Sequence, residues 1–135
     1  MQSSELAFNK EHLEKVKEGV RLYNQQKYWE CHEELEHHWL EDRGDNVRLV
    51  YWAIIQVAAA LFHYREGNLT GAQGMLNKAK DKFRRAEQAY VESTLLEKSL
   101  NWSQFKKLVR EVPDEAKIED FNKLYRFKFP ERGTL

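Results

Sequence analysis

The sequence predicts an all-α fold, an antiparallel bundle of four core helices with one or two shorter C-terminal helices. Both prolines, Pro113 and Pro130, lie in the last quarter of the 135 residues, so 112 residues pass without one. Helix interiors exclude proline, and this stretch is rich in the helix-forming residues Glu, Lys, Leu, Ala and Gln. The length and the apolar content of 41% fit a single helical domain over residues 1–135 with a core of its own.

Four long helices follow from the spacing of apolar residues and from the turn residues between them. Asn9 is the expected N-cap of the first helix, because its side chain is one that accepts hydrogen bonds from the first turn. The third helix is apolar nearly all round, which predicts that it is the central and most buried element. The predicted ranges are about Asn9–Gln26, Tyr28–Glu41, Val47–Glu66, and Leu69 to at least Tyr90.

The C-terminal quarter predicts shorter elements. One helix is expected to begin after Ser103, a candidate N-cap, and to end before Pro113. A short helix over residues 115–125 should follow. In the tail, residues 126–135, aromatic and basic residues alternate at first, which is compatible with an extended segment laid on the bundle.

Composition excludes several classes of protein. The chain has 22 Lys and Arg against 22 Asp and Glu, so a membrane surface or a nucleic acid is not an expected partner. The single cysteine, Cys31, excludes a disulfide framework. The longest apolar run, Leu49–Phe62, has 14 residues, fewer than the roughly 20 that span a bilayer. The N-terminus lacks the apolar stretch of a signal peptide, so we expect a cytoplasmic protein.

The two halves of the chain carry opposite charge. Residues 1–66 hold 8 basic and 12 acidic residues, whereas residues 67–135 hold 14 and 10. Solvated helix faces are one explanation. A second is self-association of an acidic patch with a basic patch, which would make the protein a homo-oligomer such as a homodimer. A local, salt-sensitive contact of the fourth helix and the tail with nucleic acid is a weaker third.

The second helix places polar residues beside its apolar stripe. Tyr28, His32, Leu35 and Trp39 recur at i, i+4, i+7 and i+11, which is one face of a helix. His32 is therefore expected to face inward, with Glu36 one turn further along and close enough to touch the same ion or water. Burying a histidine and a carboxylate is costly unless both have partners.

The third helix supplies the expected partners. Counting outward from a loop centre near Gly44 pairs Glu36 with Arg48 and Trp52, and His32 with Gln56. The prediction is a partly buried polar cluster. Its candidate members are His32, Glu33, Glu36, Trp39, Arg48, Gln56 and His63.

Three interpretations of this cluster stay open. In the first it is a hydrogen-bond network that fixes the helix register, with Glu36 bound to Arg48. In the second it is a divalent-metal site on His32 and Glu36, for which His63 or Glu33 must add a ligand. In the third it is a histidine–carboxylate acid–base pair acting on a small substrate.

The residues in these patterns also resemble the motif of a known protein family. His32, Glu36 and Trp39 form His-x-x-x-Glu-x-x-Trp, followed by Gln56 and His63, the Ala58–Ala60 run and Gly67-Asn68-x-x-Gly71-Ala72. This order resembles the family called domain of unknown function 309, small helical proteins of bacteria and archaea. The resemblance implies a helical bundle over about residues 9–90, a C-terminal extension over about 91–135, no established activity, and a motif that has been proposed to bind metal.

The residues therefore predict a class of function. The first expectation is a small helical binding or interaction protein whose polar cluster is structural. The alternative is a metal-binding protein, or a metal-dependent or histidine–glutamate enzyme. Whether the chain is an enzyme stays open, and its catalytic residues are unknown.

Overall fold

The computed structural model describes residues 7–131 of the chain. This part contains seven α-helices and one 3₁₀ turn, and no strand. The helices are α1 (Lys10–Asn24), α2 (Tyr28–Glu41), α3 (Arg48–Arg65), α4 (Leu69–Gln88), α5 (Thr94–Leu100), α6 (Trp102–Glu111) and α7 (Asn122–Arg126), and the 3₁₀ turn covers Ile118–Phe121. No helix in this range is both long and apolar enough to cross a membrane.

The all-α prediction and the four long helices are confirmed, although the fourth ends at Gln88 and not at or beyond Tyr90. Each long helix packs mainly on its neighbours in the sequence, so α3 lies between α2 and α4. Ten of the 18 residues of α3 are buried, as expected for a helix that is apolar on nearly every side. Asn9 caps α1 as predicted, because its side chain accepts hydrogen bonds from the backbone N–H groups of Glu11 and His12.

The C-terminal third differs from the prediction. Helix α5, which was not predicted, begins after Ser93, whose side chain accepts from Leu96 N. The prediction that Ser103 caps the next helix is wrong, because α6 already begins at Trp102. Asn101 adopts a left-handed conformation with φ of 52° and separates the two helices. The predicted helix over residues 115–125 is the 3₁₀ turn followed by α7.

The tail lies on the bundle as an extended segment, as predicted, up to Glu131; residues 132–135 lie outside the described part. The Phe129 ring packs 4.7 Å from Phe105 and 4.9 Å from Tyr23, measured between ring centroids. The Asn24 amide donates to Phe129 O at 2.9 Å and accepts from Phe129 N at 2.8 Å. The C-terminal segment therefore covers the core on the side of α1 and α6.

Candidate functional site

The register between α2 and α3 decides which predicted residues meet. Trp39 lies 5.2 Å from Trp52, and Trp29 lies 6.1 Å from Phe62, between ring centroids. In both pairs the midpoint along the sequence lies between Asp45 and Asn46, and not at Gly44 as predicted. The pairing is thus displaced by about three residues, nearly one helical turn.

Because of this register, Trp39 occupies the place expected for Glu36. Glu36 and Glu33 are exposed, and within the described chain neither makes a hydrogen bond or an ion pair. The predictions that Glu36 is partly buried and that it pairs with Arg48 are wrong. The buried residues of α2 are Tyr28, Cys31 and Leu35, and Glu36 is turned about 100° around the helix from Leu35.

His32 and Gln56 do not meet either. The half-buried His32 ring stacks on Trp29 at 5.1 Å between centroids, and its Nδ1 has no hydrogen-bond partner among residues 7–131. Gln56 is only 6% exposed, and its Oε1 also lacks a partner in that range. The predicted hydrogen bond between the two side chains is therefore wrong.

Arg48 and Trp39 come together instead. The Arg48 guanidinium lies over the Trp39 ring, 3.9 Å from its centroid. Arg48 Nε and Trp39 Nε1 are both buried, and neither has a hydrogen-bond partner in the described chain. Beside them opens a cleft of about 340 Å³, here called the tryptophan–arginine cleft. It is lined by Trp39, Gly44, Asp45, Asn46, Arg48, Leu49, Trp52 and Arg85.

Helix α4 adds further positive charge next to this cleft. Lys82 Nζ lies 4.3 Å from the centroid of the Trp52 ring, and the Arg85 guanidinium lies 5.7 Å from it. Lys82 is only 6% exposed, and its nearest carboxylate, that of Asp81, is 3.8 Å away. Burial lowers the pKa of Lys82 below its ordinary value, because so distant a carboxylate does not compensate for lost hydration.

His63 lies in the last turn of α3. Its Nδ1 lies 3.3 Å from Asn68 Nδ2 in the turn between α3 and α4. The close approach of its ring requires the glycine at position 71, where a Cβ would come within 2.8 Å of the ring. The structure thus brings Trp39 and Arg48 together, whereas the imidazole of His63 packs against the turn that leads into α4.

The structure also contains a cluster that the sequence analysis missed. His12, Asp42 and Asp45 each place one potential metal-ligand atom within 4.8 Å of the others. His12 comes from α1, 33 residues before Asp45, and nothing in the local pattern links that position to the loop after α2. The N-cap motif Asn9-x-x-His12 was the one available signal, since it fixes the orientation of the imidazole.

Donors from the protein already occupy this cluster. Lys15 Nζ donates to Asp42 Oδ1 at 2.7 Å, and Tyr51 OH donates to Asp42 Oδ2 at 2.8 Å. Asp45 Oδ1 accepts from Val47 N at 2.9 Å, and its Oδ2 lies 2.9 Å from His12 Nε2. All four carboxylate oxygens thus have a protein partner, so the cluster fastens α1 to the loop between α2 and α3.

Two side chains of α2, Cys31 and His32, belong to chemically reactive types. Cys31 is fully buried, and burial raises the pKa of its thiol, so it is not a nucleophile at neutral pH. His32 has no carboxylate partner, which leaves the predicted acid–base pair incomplete. The tryptophan–arginine cleft, by contrast, is lined by Arg48, Arg85 and Trp39, and Arg48 and Trp39 each have a buried N–H group without a partner in the described chain.

Comparison with known proteins agrees with the resemblance seen in the sequence. Residues 16–75 match the family described as "Domain of unknown function (DUF309)", which confirms that resemblance. The chain is also 37% identical over 57 residues to the "Uncharacterized protein YpuF" of Bacillus subtilis (strain 168), which covers 42% of this chain. It spans about a third (33%) of the length of that relative. No solved structure matches the chain significantly.

Proposed function

We propose that the protein is a binding protein whose ligand is held where α2, α3 and α4 meet, at and beside the tryptophan–arginine cleft. One observation carries the proposal. Seven buried side-chain nitrogen or oxygen atoms lack a hydrogen-bond partner in the described chain, and four of them belong to the residues predicted from the sequence. These four are on His32, Trp39, Arg48 and Gln56.

Such atoms are costly in a structure that serves stability alone. A buried donor or acceptor without a partner costs about 1–3 kcal/mol, and native proteins leave few of them. Four on two adjacent helices therefore support a partner outside the chain. Binding sites keep groups that destabilise the unliganded fold, because those groups are satisfied when the ligand is present.

The metal and enzyme alternatives have less support. A metal on His32 and Glu36 needs a third ligand; the imidazole of His63, in the last turn of α3, lies against Asn68, and Glu33 is exposed. If untagged protein carries a stoichiometric divalent metal that His32→Ala removes while the fold remains, the metal-site interpretation replaces the present one.

Gln56→Met tests the proposal without knowledge of the ligand. Methionine fills a similar volume and removes the unpartnered amide, so the free energy of unfolding should stay unchanged or rise. The matched control is Gln73→Met in α4, because Gln73 Oε1 accepts from Ala116 N at 2.6 Å. That variant should lose about 0.5–1.5 kcal/mol. Urea unfolding measures both; an equal loss in the two variants would make Gln56 a structural residue and contradict the proposal.

A further inference from the structure

We infer that the tryptophan–arginine cleft binds an oxyanion, the phosphate group of a small molecule. The inference rests on the proposed binding function and gives it a ligand class. Arg48 and Trp39 carry it, because both residues line the cleft and each has a buried N–H group without a partner in the described chain.

The side chains of these two residues favour a ligand that accepts hydrogen bonds. Indole Nε1 and guanidinium Nε carry hydrogen and can only donate. The Arg48 guanidinium is stacked on Trp39 at 3.9 Å, which fixes the plane of its donors. A guanidinium held in one plane matches two oxygens of a phosphate or carboxylate at once.

The charge around the cleft favours an anion. Arg48 and Arg85 line the cleft, and Lys82 lies against the ring of Trp52, which also lines it. Two carboxylates are also close. Both oxygens of Asp45 are engaged by His12 and Val47, and Asp81 makes its hydrogen bond with Arg84 at 2.5 Å.

Asp81 leaves the cations nearest the cleft weakly paired. It approaches Arg85 only to 3.7 Å and Lys82 only to 3.8 Å. A dianion bound in the cleft would offset the positive charge that these side chains leave uncompensated. A doubly charged phosphate therefore fits better than a singly charged carboxylate.

The two indole rings shape the cleft but offer little free surface on which a ligand ring could stack. Arg48 covers one face of Trp39, Lys82 covers one face of Trp52, and the two indoles contact each other edge to face. The volume of about 340 Å³ is at the lower end of small-molecule sites. These dimensions suit a phosphate with a small organic group attached.

Titration of ¹⁵N-labelled protein with inorganic phosphate at constant ionic strength tests the inference. The four indole N–H signals of the chain report on four places at once. We expect a saturable shift of the Trp39 signal, and no saturable shift for Trp102, whose Nε1 already donates to Glu92 at 2.7 Å. Ribose 5-phosphate is the second ligand: tighter binding than inorganic phosphate identifies an ester as the source, and equal binding identifies the free ion. Acetate binding as tightly as either would overturn the choice of phosphate.

Two variants and one control separate a built site from general attraction. Arg48→Met and Trp39→Phe each remove one unpartnered donor, and each should weaken phosphate binding about tenfold or more. Arg126→Met removes an equal charge at an exposed residue of α7 that does not line the cleft, and it should leave the affinity unchanged. No saturable shift, or an equal loss in all three variants, would overturn the inference.

The phosphate titration and the Gln56→Met unfolding experiment can give opposite results, and each outcome has its own meaning. If phosphate does not bind but Gln56→Met is as stable as the wild type, the ligand class is wrong and the binding proposal stands. If Gln56→Met is destabilised while phosphate binds in an Arg48-dependent way, the cleft is a site and its extension toward Gln56 is wrong.

Discussion

His12 shows how one side chain determines what its cluster can bind. The backbone N–H of Asn9 donates to His12 Nδ1 at 3.0 Å. In the neutral imidazole the proton must then be on Nε2, where it is donated to Asp45 at 2.9 Å. A metal bound at Nε2 would require the opposite tautomer and would break the hydrogen bond from Asn9 N to Nδ1. This geometry supports a structural role for the cluster of His12, Asp42 and Asp45.

The tautomer of His12 is therefore a testable property. We expect a long-range ¹H–¹⁵N spectrum at a pH where His12 is neutral to show the proton on Nε2. Adding zinc in equimolar amount should leave that pattern and the melting temperature unchanged. A proton on Nδ1, or a zinc-induced rise in melting temperature that His12→Gln abolishes, would instead identify these three residues as a metal site.

At the scale of the element, the contact between α1 and α2 depends on a missing side chain. A Cβ added to Gly19 would lie 2.5 Å from Leu35 Cδ2 and 2.6 Å from its Cγ. Leu35 is fully buried and cannot move away freely. The absence of a Cβ at Gly19 thus sets how closely these two helices approach.

Gly19→Ala should lower the free energy of unfolding by about 1–3 kcal/mol, because overpacking outweighs the better helix propensity of alanine. Gly74→Ala is the matched control, since a Cβ there meets no atom within 4 Å in α4. That variant should gain about 0.5–1 kcal/mol. Urea unfolding of both proteins checks the difference; a Gly19→Ala protein as stable as the Gly74→Ala protein would contradict the close packing.

The elements could be predicted from the sequence much better than the contacts between them. The spacing of apolar residues located α1 to α4, because burial of one face is a property that a single helix carries in its own sequence. The division between α5 and α6 depends on the left-handed Asn101. An asparagine tolerates that conformation without requiring it, so the sequence carried no decisive signal.

The candidate site was predicted in part for the same reason. Trp39, Arg48 and Gln56 were identified because polar and aromatic residues recur along the core side of two neighbouring helices. Their partners were wrong, because the α2–α3 register depends on where the loop turns. Lys82 and Arg85 come from α4, and His12 from α1, and such distant contributions follow from packing that no local pattern contains.

At the scale of the whole molecule, the family-like part and the C-terminal segment are joined by polar contacts. Asn24 holds the backbone of Phe129 from both sides. Glu87 of α4 bonds Lys106 and Arg110 of α6 at 2.8–2.9 Å, and these bonds hold the pKa of Glu87 down at about 2. Such contacts support the proposal that the chain is one folding unit, because polar groups in each part have their partners in the other.

One folding unit should unfold in one step. We expect the Trp52 and Trp102 indole signals, one in each part, to disappear at the same urea concentration. Asn24→Ala should lower the free energy of unfolding by about 1–3 kcal/mol and move both signals to the same lower urea concentration, because the buried N–H and C=O of Phe129 lose their partners. Asn77→Ala is the control, because it removes only an exposed hydrogen bond of 3.3 Å to Asp114 O. It should change the free energy of unfolding by less than about 0.5 kcal/mol. Separate midpoints for the two indoles in the wild-type protein would mean that the C-terminal segment folds independently of the helices that form the cleft.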